Sequence, residues 1–129
     1  MPPERIKASN LEVGKAGENA GISYLEQLGY EIVEINYRTS LGEIDCIAKD
    51  KNTLVFVEIK TRSSFDYGFP EEAVNRRKRQ KLAQIAQFYL KGKGLVDRAL
   101  VRFDVLAIFK RGDEMSFNHI QNAFETESK

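Results

Sequence analysis

The four residues Leu54-Val55-Phe56-Val57 constrain the fold more than any other stretch of this chain. Successive side chains of a strand point to opposite faces, so a run that is apolar at every position must be covered from above and below. Residues 53–61 therefore read as a strand inside a layered structure, and residues 100–109 read as a second buried strand. Tyr30 to Tyr37 and residues 43–49 supply two more strands. A fifth falls near 114–121, after the turn Arg111-Gly112-Asp113.

Two helices provide the cover. Ser9 with Glu12 has the spacing of a capping box. Gly17, Ala20, Gly21, Tyr24, Leu25 and Leu28 then recur on one helical stripe, which Gly29 stops. Gly14, Gly17 and Gly21 disfavour a helix by about 1 kcal/mol each relative to alanine, so their expected use is close packing or close backbone approach. A loop over 62–70 leads to a second helix from about Glu71 to Lys91, stopped by Gly92 and Gly94. The order α-β-β-β-α-β-β puts a helix between strands three and four, which permits a parallel right-handed crossover. The expected fold is α/β, a three-layer α/β/α sandwich with a mixed sheet. Residues 1–8 read as a lead-in, 9–124 as one domain and 125–129 as a polar tail.

Composition narrows the function classes. A chain of 129 residues has room for one domain. Its 20 basic and 19 acidic residues leave a net charge of +1, which excludes a globally basic coat protein and makes any nucleic-acid surface local. The single cysteine, Cys46, excludes an internal disulfide and a cysteine-built zinc site, and suits a reducing cytoplasm. The start Met1-Pro2-Pro3-Glu4-Arg5 has no apolar core of a signal peptide, and no run approaches the ~20 apolar residues that span a bilayer. The expectation is a cytoplasmic protein with no membrane partner.

Chemistry enters with the second and third strands. If Lys51-Asn52 is a two-residue hairpin loop, with Asn52 tolerating a left-handed turn, Asp50 faces Thr53 and Asp45 faces Glu58. Opposed residues hold their Cβ atoms about 4.5–5.5 Å apart on one face. Two carboxylates that close repel each other, and can jointly grip a divalent cation. Lys60 projects from the same face, as do Ile47, Leu54 and Phe56, while Cys46 alternates to the other as a small core residue. A slip of one residue would separate the two acids. The same register sets Glu43 opposite Lys60, so an ordinary cross-strand ion pair is the competing reading.

The second helix points to the same place. Val74, Leu82, Ile85, Ala86 and Tyr89 form its apolar stripe, and Lys78 falls in the middle of it. Either the Lys78 stem covers the core while its amine reaches water, or the amine reaches a site at the sheet edge. Arg76, Arg77, Arg79 and Lys81 surround it as a phosphate-binding footprint or as a solvated helix face. Glu18 is a third candidate acid, leaning toward the sheet face of Asp45 and Glu58, or merely a favourable charge near a helix start. Arg102 and Asp104 share a strand face and form structural pairs. His119 has no partner pattern and reads as surface. Gly14-x-x-Gly17 is no phosphate loop, because no Gly-Lys-Ser/Thr follows.

The elements Gly14-x-x-Gly17-Glu18, Gly42-Glu43-Ile44-Asp45, Glu58-Ile59-Lys60-Thr61-Arg62 and Arg102-Phe103-Asp104 resemble the YraN-like family of small bacterial proteins. That family is similar to the PD-(D/E)XK nuclease superfamily and its archaeal Holliday junction resolvases. The likeness runs from about residue 14 to residue 108. It implies a restriction-endonuclease-like fold and an endonuclease that hydrolyses phosphodiester bonds in DNA, branched DNA included, with Mg²⁺ or Mn²⁺. Asp45 and Glu58 would be the metal ligands, completed by the backbone carbonyl of Ile59, with Lys60 positioning or activating the attacking water. Glu18 matches the helical acid of the superfamily and Lys78 the charged residue of its second helix. Arg76, Arg77, Lys78, Arg79 and Lys81 would hold DNA. Ile44 replaces the proline of the superfamily's name, a position that shapes the strand. A homodimer follows by analogy with small nucleases that cut two strands. The alternative is a non-catalytic nucleic-acid-binding module on the same scaffold, in which the basic helix matters and the carboxylates do not.

Overall fold

The computed structural model describes residues 10–63 and 75–125. Ser9 of the capping box, the lead-in, Val74, the 64–70 loop and most of the tail lie outside the described residues. The described elements follow the expected order: α1 (Asn10–Gln27), β1 (Glu31–Thr39), β2 (Gly42–Asp50), β3 (Thr53–Ser63), α2 (Arg76–Lys93), β4 (Leu100–Arg111) and β5 (Glu114–Ile120). The strands form one sheet in the order β1-β2-β3-β4-β5. Neighbours run antiparallel except β3 and β4, which are parallel and are joined through α2. The sheet is therefore mixed, as the helix between the two buried strands requires.

Alternation along β3 decides which helix covers which face. Leu54 and Phe56 pack with Phe103, Val105 and the α2 residues Leu82, Ile85, Ala86, Tyr89 and Leu90. Val55 and Val57 pack with Cys46, Ala48, Leu106, Ile108 and Leu25 of α1. Both valines are 0 % exposed, so the strand is sealed on both sides and the α/β/α layering follows. Of the α1 stripe, Leu28 departs and stays about half exposed. It lies beyond the last helical residue, where Gly29 takes φ 97 and ends the element. The second helix starts at Arg76, not near Glu71. Asn75 holds an extended backbone, and its side-chain oxygen accepts a hydrogen bond from the Lys78 N–H at 2.9 Å. At the other end Gly92 remains helical, and Gly94 in the left-handed conformation closes the helix.

A polar cluster lies on the α1 side of the sheet. The Asp104 side chain is 0 % exposed. It accepts hydrogen bonds from Arg102 Nε at 2.9 Å, Arg102 Nη2 at 3.1 Å, the Asn122 N–H at 3.0 Å and Tyr30 OH at 3.3 Å, and His119 Nε2 lies 2.7 Å away. Arg102 also reaches Asp50 at 3.1 Å. Burial pushes the Asp104 carboxyl up, but the bonds from His119, Arg102 and Asn122 more than offset it and hold the group below its ordinary range. Burial and the Asp104 charge push the Tyr30 phenol up to about 12. His119 is thus a buried partner and not a surface residue. The β4–β5 register sets it opposite Leu106, on the face that carries Asp104. The expected pairing of Arg102 with Asp104 is present and is one strut of a larger network.

The α1 glycines allow close approach to the sheet. A Cβ on Gly17 would collide with the Thr61 hydroxyl and lie 2.8 and 2.9 Å from Thr61 Cγ2 and Cβ. At Gly21 it would lie 3.1 Å from Ile108 Cδ1 and 3.2 Å from Leu106 Cδ2. Gly17→Ala is expected to destabilise the protein by about 2–3 kcal/mol despite alanine's better helix propensity, because overpacking outweighs propensity here. In a denaturation double-mutant cycle, Thr61→Ala should recover part of that loss. Strict additivity of the two changes would refute the contact.

Candidate active site

The β2–β3 hairpin has the register that its short loop demands. Pairs run from Asp50↔Thr53 to Cys46↔Val57. Lys51, rather than Asn52, takes the left-handed turn conformation, with φ 58. Beyond Cys46↔Val57 the ladder changes character. The Asp45 carboxylate accepts a hydrogen bond from the Ile59 N–H at 2.7 Å, so a side-chain oxygen stands in for a strand carbonyl.

The strand twists locally at Asp45. Ile44 packs on the α2 side and Cys46 on the α1 side, although residues two apart normally share a face. Across the seam, Asn36 of β1 takes φ 56, between the pairs Ile35↔Cys46 and Tyr37↔Ile44. Asparagine is among the few non-glycine residues that accept this conformation readily. The twist frees the Asp45 side chain from strict alternation and lets it reach β3.

Glu58 is the second acid, and its side chain is only 6 % exposed. Lys78 of α2 places its Nζ 2.5 Å from Glu58 Oε2, and Lys60, two residues along β3, places its Nζ 3.5 Å from the same oxygen. Of the two readings of Lys78, the one in which its amine reaches a site at the sheet holds. Burial works against the Lys78 charge, but the bond to Glu58 holds its pKa above the ordinary value. Burial lowers that of Lys60, and neighbouring Lys78 lowers it further. Asp45 goes the other way. Burial first, and Glu58 second, push its carboxyl up to about 7, against the pull of the Ile59 N–H. Glu18 and Glu43 add to the rise.

Other expected members are placed differently. Glu18 comes from α1, a different helix from that of Lys78. Its carboxylate accepts a hydrogen bond from Asn36 Nδ2 at 3.2 Å and acts on Asp45 through charge. Glu43 lies 3.4 Å from Arg38 Nε, its partner across β1–β2, and not against Lys60. The basic helix turn divides. Arg76, Arg77 and Lys81 are exposed, Lys78 is turned onto Glu58, and Arg79 stacks over the Phe124 ring at 5.5 Å. Cys46 is fully buried, as expected of a core residue, and burial pushes its thiol up to about 12.

Among the described residues no three His, Cys, Asp or Glu side chains come close enough to hold a metal ion by themselves. The two carboxylates nonetheless fit a hard divalent cation, which takes oxygen donors and keeps water in its remaining positions. The Asp45 carboxyl is raised first by burial and then by the Glu58 charge, and a bound cation would favour its ionised form. Asn36 and its link to Glu18 escaped the sequence reading. The only signal was an asparagine interrupting an otherwise regular strand.

The family model described as "Uncharacterised protein family UPF0102" matches residues 17–108, the span that holds Glu18, Asp45, Glu58, Lys60 and Lys78. A UPF0102 protein of Desulforapulum autotrophicum is 46 % identical over 115 residues, covering 89 % of this chain and 94 % of that protein. One from Syntrophotalea carbinolica is 41 % identical over 117 residues, covering 91 % and 94 %. One from Clostridium botulinum is 42 % identical over 118 residues, covering 90 % and 96 %. Among the described residues no helix is long and apolar enough to cross a membrane.

The Asp45 environment predicts a pH-dependent stability with a definite sign. An acid whose folded pKa exceeds its unfolded value, here about 7 against 3.8, favours folding while protonated. That contribution is present in full below about pH 4 and is lost as the pH rises toward 7. Asp45→Asn should therefore raise stability at pH 8 by about 1–2 kcal/mol and leave it nearly unchanged at pH 4, in urea denaturation without added metal. Equal stability of the two proteins at pH 8 would contradict this electrostatic picture.

Proposed function

The chain belongs to the UPF0102 family, and we propose that it is a divalent-metal-dependent nuclease of the PD-(D/E)XK type acting on DNA, branched forms included. The observation that carries the reading is the convergence of Asp45, Glu58 and Lys60 at one point of the β2–β3 seam, with Lys78 arriving from α2.

A phosphodiester resists attack because it is already anionic. Mg²⁺ or Mn²⁺ held by Asp45 and Glu58, with the Ile59 carbonyl, would offset that charge and supply bound water. The chain's own residues do the rest. The Ile59 N–H fixes the Asp45 carboxylate, so one of its oxygens is oriented before any ligand arrives. Lys60, half-withdrawn from water beside Glu58, is placed to hold the attacking water and to balance the charge that develops in attack. Arg76, Arg77 and Lys81 offer exposed cations for flanking phosphates. Asn36 ties Glu18 into the seam as a positioning acid behind Asp45.

One observation favours the non-catalytic reading instead: Glu58 already has two ammonium groups against it. Cleavage assays separate the two. Purified protein should cut linear, nicked or four-way DNA with Mg²⁺ or Mn²⁺, and Asp45→Ala or Lys60→Ala should slow cutting by about 100-fold or more. The double change Arg76→Gln with Arg77→Gln should weaken DNA binding and reduce the slope of log affinity against log salt by about 2. Metal-independent, salt-sensitive binding with no cutting of any of these substrates would transfer the conclusion to the binding module.

A further inference from the structure

Resting on the metal-site reading above, we propose that Lys78 is a resident counter-cation of Glu58, displaced when a divalent metal binds and then free to take a DNA phosphate. Glu58 is nearly sealed from water, and a buried carboxylate without a partner is strongly unfavourable. Its close partner is the Lys78 ammonium, while Lys60 sits a full ångström farther away. Glu58 Oε2 is thus taken by a cation that the chain itself supplies.

The tether of that cation suits exchange. Lys78 comes from a different element, near the start of α2, and its side chain is 35 % exposed, so part of it already meets water. Lysine is a point charge on a flexible stem and can withdraw without moving the helix. The first turn of α2 contains no acidic residue to recapture it. A divalent ion at Glu58 would repel both ammonium groups, the nearer one most strongly, so metal and Lys78 compete there. Once released, Lys78 has the exposed Lys81 three residues on along the same side of the helix, where the two can meet a phosphate together. Coupling of this kind is reciprocal, so metal strengthens DNA binding to the degree that DNA strengthens metal binding.

Calorimetric titration of the full chain with Mn²⁺ alone tests the exchange without reference to catalysis. Lys78→Gln removes the competitor and should bind Mn²⁺ about tenfold more tightly than wild type. Lys78→Arg keeps the charge but grips a carboxylate with two bonds, and should bind Mn²⁺ more weakly than wild type. With Ca²⁺ in place of Mg²⁺, the gain in affinity for nicked DNA should be smaller in Lys78→Gln than in wild type. In the unmodified protein, NMR of ¹⁵N-lysine side chains reads the same event without a variant, because the hydrogen-bonded Lys78 ammonium signal should vanish or shift on adding Mg²⁺. If wild type binds Mn²⁺ but Lys78→Gln binds no more tightly, or if that ammonium signal persists at saturating Mg²⁺, the exchange is refuted and the metal site stands. If neither protein binds Mn²⁺, the metal site falls and the exchange with it.

Discussion

A carboxylate withdrawn from water must be answered by charge or hydrogen bonds, and Glu58 imposes that requirement on everything around it. It stands on the central strand β3, in line with Leu54 and Phe56, at the point where the apolar face beneath α2 stops being apolar. The helix that covers those residues also brings Lys78, so hydrophobic docking and charge compensation are accomplished by one element. This explains a lysine in the middle of an apolar helical stripe. The position is buried enough to need a partner, and the partner is already there.

The two polar centres of the molecule are built to different standards. Around Asp104 every strong demand is met: arginine, histidine, a backbone N–H and a phenol converge on one carboxylate, which is held ionised. Around Asp45 the balance is poor. The carboxyl has one backbone donor and is surrounded by Glu58, Glu18 and Glu43. A fully satisfied network reads as structural support for the join of β4, β5 and the end of α1. The Asp45 cluster instead sets a raised carboxyl beside two ammonium groups, the kind of imbalance on which the proposed function rests.

Much of this was legible in the chain itself. The double-faced apolar run of β3 required two covering layers, and the two-residue loop set the β2–β3 register from Asp50↔Thr53 to Cys46↔Val57. Both are local or periodic signals, and both survive folding. The misreadings arise where a side chain's partner is set by strand pairing, docking or capping. His119 looks solitary until β5 pairs with β4 and sets it beside Asp104. The link of Glu18 to Asn36 and Asp45 is visible only once α1 docks on the sheet. Glu43 found Arg38 across β1–β2 because β2 twists at Asp45 before it could meet Lys60. The start of α2 was misplaced because the capping role of Asn75 was overlooked.

The parallel pairing of β3 with β4 also sets an order of assembly. The β2–β3 hairpin joins neighbours across a tight turn and closes at small cost in chain entropy. The β3–β4 pair must wait for the whole crossover. Asp45 and Glu58 are therefore brought together by the cheapest contact in the molecule, while their ammonium partner arrives with one of the most expensive. The nascent hairpin has only Lys60 to set against its carboxylates, and the docking of the second helix adds Lys78. Early and late folding steps are in this way tied to a single electrostatic imbalance.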